Sequence, residues 1–124
     1  TRKDVMNQPP EHVTALRAWA RGMYPLEAAV ELLAAAFGGR FARPGNLWIR
    51  AKTEGQPGYW LDTDEMDDVG YLSGGEQRLI RIAASLAGGA PVRLSDVLCG
   101  NDEAIDRLII KAVAHTAGQR QVWP

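Results

Sequence analysis

Few side chains in this 124-residue chain have the chemistry of a nucleophile or a general base. Cys99 is the only cysteine, and His12 and His115 are the only histidines. Cys99 lies beside Gly100, just ahead of the last predicted helix, where a helix dipole lowers a thiol pKa. Both histidines fall on predicted helices. A small buried thiol and histidines at helix surfaces or ends account for the same residues more simply. No Gly-x-Ser-x-Gly turn and no pair of carboxylates set up for acid–base work stands out. The chain is therefore read as not an enzyme, with no catalytic residue assigned.

Acidic residues raise the question of a metal. In "DTDEMDDVGYLS", Asp62 and Asp64 match the first and third positions of a calcium loop. The match then fails, because Met66 takes the fifth position, Asp67 stands where a glycine is needed, and Ser73 replaces the bidentate glutamate. Zinc has one cysteine and two distant histidines to draw on. Neither a metal nor a cofactor is expected.

Binding has better material. Arg40, Arg43, Arg50 and Lys52 are grouped with no acid among them, interleaved with Phe41 and Trp48. A basic, aromatic hairpin of this kind can track phosphates and stack bases. Against that reading, the chain's net charge is −1, and Glu54, Asp62, Asp64, Glu65, Asp67 and Asp68 follow at once. The other surplus is aromatic: Trp48, Tyr59, Trp60, Tyr71 and Trp123. Exposed Trp and Tyr are the types most enriched at interface hot spots. Adjacent Tyr59 and Trp60 on one strand must point to opposite faces, leaving one of them for a partner or for a second copy of the chain.

The elements that position these residues follow from periodicity and breakers. Residues 1–9 read as a polar arm. Pro9-Pro10 opens a helix with Val13, Leu16 and Ala20 on one face, and Gly22 stops it. Pro25 opens a second, with Leu26, Val30, Leu33 and Phe37 in line and Gly38-Gly39 at its end. "NLWIRAK" and "GYWLD" flank "TEGQPG", the pattern of a β-hairpin, which must pack on the helices because a lone hairpin is marginal in water. A third helix follows Ser73. "LSDVL" is at most a short helix, capped by Ser95. The last begins at Asn101 or Asp102 and runs to Gly118, with Ile105, Leu108, Ile109, Ala112 and Val113 as its stripe. Glu103 and Arg107 are i,i+4 neighbours on its solvated face.

The third helix opens on "LSGGEQR", residues 72–78, which resembles the signature of ATP-binding-cassette ATPases. That family also needs a phosphate-binding G-x-x-x-x-G-K-[ST] loop and a carboxylate-ending hydrophobic strand after the signature helix. This chain has neither, so the resemblance implies no ATP site. Ser73 and Glu76 instead have the spacing of a capping box. Gly74 and Gly75 are poor helix formers and need another reason, either close packing against the first turn or an anion at the helix N-terminus. The longer stretch "SGGEQRLIRIAASLAGGAPVRLSDVL" is similar to short actinobacterial proteins of unassigned function. That resemblance covers the last 50 or so residues and the second helix, and it implies no activity.

Length and composition set the frame. The chain is long enough for one independent core, and its 46% hydrophobic and 23% charged shares are those of an ordinary globular domain. No apolar run approaches the ~20 residues that span a bilayer, and no hydrophobic segment follows the basic start, so the cytoplasm is the expected compartment. The expectation is an α+β, mainly α domain over residues 10–118, with about four main helices, one small β-hairpin between helices 2 and 3, and a tail at 119–124. Its expected role is a non-catalytic protein-interaction or regulatory module that self-associates or takes a protein partner. The alternative is a nucleic-acid-binding accessory protein.

Overall fold

The computed structural model of the chain describes residues 9–53 and 55–123. The expected N-terminal arm at 1–9 thus lies, apart from Pro9, outside the described residues. Helix α1 spans Glu11–Ala20, with Pro10 as its N-cap, and buries Val13, Leu16 and Ala20. The chain then reverses at Gly22, whose φ of 91° is left-handed. The Gly22 N–H donates to the Glu27 carboxylate at 2.8 Å, tying the turn to the next helix.

Helix α2, Tyr24–Ala35, carries Pro25 in its first turn and buries Ala28, Ala29, Val30, Leu32 and Leu33. Only part of the expected stripe is fully covered, since Leu26 and Phe37 pack on the core half-buried. The helix stops at Ala35, ahead of the glycine pair. Phe37, Gly38 and Gly39 all take left-handed angles inside a 3-10 segment, Ala36–Ala42. For a side-chain-bearing residue such as Phe37 this costs about 1–2 kcal/mol. Its ring meets Phe41 edge-on, 5.8 Å between centroids.

Strands β1, Ile49–Ala51, and β2, Tyr59–Leu61, pair antiparallel with Ile49 opposite Leu61 and Arg50 opposite Trp60. Ile49 and Leu61 face the core, and β2 packs against α1. A 3-10 turn at Thr63–Met66 then buries Met66. Helix α3, Gly74–Gly88, ends where Gly88 meets Thr63 so closely that an added Cβ would sit 2.8 Å from the Thr63 Cβ. Short helix α4, Leu94–Leu98, has Arg93 as its N-cap and no side-chain cap, so the capping role expected of Ser95 is not found.

Helix α5, Glu103–Thr116, is capped by Asp102, whose carboxylate accepts the Ile105 N–H at 2.9 Å. Ile105, Ile109 and Ala112 are buried and Leu108 is half-buried, but Val113 is turned outward. At 3.6 residues per turn Val113 follows Ala112 by 100° around the helix, past the edge of the buried face.

The architecture is therefore α+β and mainly α: four main helices, one short one, and a two-stranded hairpin between α2 and α3. Helix α2 is the central element, packed against α1, α3 and α5. One hydrophobic cluster draws on these helices, both strands and the connecting turns. Among the described residues, no helix is long and apolar enough to cross a membrane.

Candidate interaction surface

The start of α3 forms the expected capping box. Ser73 Oγ accepts the Glu76 N–H at 3.3 Å, and Glu76 Oε1 accepts the Ser73 N–H at 3.0 Å. The second carboxylate oxygen, Oε2, accepts from Arg40 at 2.8 Å. The Glu76 carboxyl is held below its ordinary value, first by the Ser73 backbone N–H, with further help from the Ser73 hydroxyl and Arg40 and against a smaller effect of burial.

Gly74 is explained by Arg78, the last residue of the same heptapeptide, whereas a Cβ on Gly75 would meet Arg78 only at an ordinary contact distance of 3.7 Å. Its guanidinium folds back across the first turn, so a Cβ on Gly74 would lie 3.2 Å from Arg78 Nη1. From there Arg78 Nε donates to Asn101 Oδ1 at 2.7 Å and Nη2 donates to the Gly100 carbonyl at 2.9 Å. Asn101 in turn donates to Val97 O and Asp106. Gly74 makes room for a side chain that binds α3 to the α4–α5 connection.

The basic residues around the hairpin are largely committed elsewhere. Arg40 pairs with Glu76 and lies 4.7 Å over the Phe41 ring. Arg43 donates to the Gly38 carbonyl. Arg50 approaches Asp62 at 3.9 Å across the sheet, and the aliphatic stem of Lys52 lies along Gly58. One of the four cations, Arg50, thus faces a carboxylate of the adjacent acidic block, while Arg40 pairs with Glu76 of α3, outside it.

The aromatic residues separate. Trp48 is fully buried and donates its Nε1–H to the Phe41 carbonyl at 2.8 Å, so it has no surface to offer a partner or a base. It sits just before β1, where its large apolar area is worth more in the core than outside. Tyr59 packs on the core and Trp60 is half-buried across from Arg50. Trp123 is also half-buried and packs on the core, so the tail is fastened to the domain. Tyr71 alone of the five is widely exposed, at 69%.

What fastens Trp123 is His115, which lies in the last turn of α5, a helix-end place as expected, but is buried there and not at the surface. Trp123 Nε1–H donates to His115 Nδ1 at 2.7 Å, and His115 Nε2 faces Glu27 Oε1 at 2.9 Å. An indole N–H can only donate. Nδ1 must therefore be the acceptor, and the neutral ring carries its proton on Nε2, donated to Glu27. Both ring nitrogens are engaged, so this imidazole has none left for Cys99, which is exposed. Among the described residues, no three His, Cys, Asp or Glu side chains are grouped to hold a metal ion.

The surface that sequence reasoning missed is apolar. Leu47, Leu94, Ile110 and Val113 are exposed along with Tyr71. Ile110 and Val113, three residues apart, share one strip of α5. The signal was the run Leu108-Ile109-Ile110, which is too wide for one buried stripe. No protein-family model, curated protein or solved structure matches this chain.

Proposed function

We propose that this chain is a non-catalytic protein-interaction or regulatory module, working in the cytoplasm, and that self-association is one form of its interaction. The observation that carries the reading is the outer strip of α5, where Ile110 and Val113 are 63% and 48% exposed. Each keeps apolar area in water that a partner would cover at about 25 cal/mol per Å². Glu103 and Arg107, paired on the preceding turn, give the strip a charged border, the arrangement of an apolar centre with a polar rim. Tyr71, widely exposed, and the half-buried Trp60 add aromatic area to what a partner could cover. The lone Cys99, which has no disulfide partner in the chain, fits a reducing compartment.

The test compares the intact protein with the double variant I110E/V113E in a pull-down from extract of the source cell, with and without nuclease. Both positions are exposed, so the variant keeps its fold, which circular dichroism checks. The expected result is a discrete set of proteins retained by the wild type and reduced at least tenfold with the variant. Sedimentation of the two proteins reads self-association separately. A retained set that collapses under nuclease would support the nucleic-acid alternative, and an unchanged set with the variant would remove α5 as the contact.

A further inference from the structure

The contacts of His115 pull in opposite directions. We infer that His115 is a proton-operated latch: neutral, it holds the segment 120–123 against the α2–α5 pair, and protonated, it lets Trp123 go. The argument rests on which nitrogen can accept. In the neutral ring Nδ1 offers a lone pair to the Trp123 Nε1–H, 2.7 Å away. A proton added at Nδ1 turns that acceptor into a donor. Two N–H groups would then face each other at a distance only a hydrogen bond allows.

Other groups also face the ring. From α2, the Glu27 carboxylate lies 2.9 Å from Nε2 and gains an ion pair when the imidazole is protonated. His115 is also in the last turn of α5, where the helix dipole attracts a cation. The Tyr24 ring of α2 stands 6.2 Å away between centroids. One turn beyond Glu27, Glu31 is occupied by Arg17 of α1 through bonds of 2.7 and 2.9 Å. That pair borders the place where Trp123 sits, with Ala34 and Ala35. On α5 itself the titratable neighbour is Lys111, one turn back and half-buried. The Thr116 hydroxyl donates to Ala112 O and is spent there. Protonation therefore leaves His115 tied to Glu27 and places the whole cost on Trp123.

The hinge is visible as well. Gly118 N–H donates to His115 O at 2.8 Å and Gln119 N–H to Ala114 O at 3.0 Å. These bonds hold the chain as far as Gln119 in either state, and Gly118 takes a left-handed φ of 101°. The segment beyond Gln119 is what moves. The docked form holds one proton fewer at His115 than the released form, so acid favours release.

The test uses the full chain labelled with 5-fluorotryptophan, with the Trp123 ¹⁹F resonance assigned through Trp123→Phe. Between pH 8 and 5 that resonance should move to the position of a free indole, in step with the His115 Cε1–H titration, while those of Trp19, Trp48 and Trp60 do not follow it. In Trp123→Phe the His115 protonation constant should rise roughly fivefold, the worth of one net hydrogen bond. In His115→Gln the Trp123 resonance should be flat over the same range. A Trp123 signal that stays fixed while His115 titrates overturns the latch. So does a His115 that stays neutral down to pH 5, a protonation constant unmoved in Trp123→Phe, or a Trp123 signal that still moves in His115→Gln.

Discussion

Glu76 serves two neighbours at once. Its carboxylate closes the capping box on Ser73 and receives Arg40 from the segment before the hairpin. Replacing Ser73 by Ala removes the hydroxyl acceptor and should cost about 1 kcal/mol at neutral pH in a urea unfolding curve. The pH dependence follows from the depressed carboxyl. Its folded-state pKa lies below the ordinary 4.5, so its contribution is fully present above that value and is lost as pH falls through the lower, folded one. Unfolding curves from pH 7 to pH 3 should therefore show a decline below pH about 4.5 that is shallower in Glu76→Gln. Equal slopes in the two proteins would assign the acid loss to other carboxylates.

At the scale of elements, Arg78 connects α3 to the link between α4 and α5. It spans from the first turn of α3 to Gly100 and Asn101, fixing that link. In an ordinary helix interior Gly→Ala gains about 1 kcal/mol. At Gly74 the new Cβ would press on the Arg78 guanidinium at 3.2 Å. Gly74→Ala alone should therefore gain much less than that, or lose stability. In an Arg78→Ala background the usual gain should return, because the obstruction is gone. A double-mutant cycle reads the difference directly, and additive effects would mean that the glycine is there for another reason.

At the scale of the whole molecule, Trp48 ties the start of the hairpin into the common core. It lies between the 3-10 segment after α2 and the first strand, tilted against Phe41 at 6.1 Å and bonded to that residue's carbonyl. Trp48→Phe removes the buried donor and leaves the Phe41 oxygen unpaired, at a cost of about 1–3 kcal/mol in global unfolding. The transition midpoint should fall with an unchanged denaturant slope. A loss confined to hairpin signals, with the helices unaffected, would show that the hairpin melts separately from the helical core.

Much of the local structure was legible from local chemistry. The capping box needed only Ser73 and Glu76 three positions apart, and the buried faces of α1 and α5 followed the 3.6-residue period through Val13, Leu16, Ala20, Ile105, Ile109 and Ala112. The hairpin pairing rested on turn residues between two β-branched, aromatic runs. The candidate site was harder, because exposure is a property of neighbours. Nothing within four residues of Trp48 says that Phe41 will accept its N–H and close over it, and nothing around Val113 says that no element covers it. The sequence by itself determined the main helices, the capping box of α3 and the hairpin, since those depend on residues a turn or a strand apart. Only the tertiary structure decided that His115 would be buried between Glu27 and Trp123, with partners 88 and 8 residues away, because a side chain's protonation chemistry is set by whatever the packed chain brings against it.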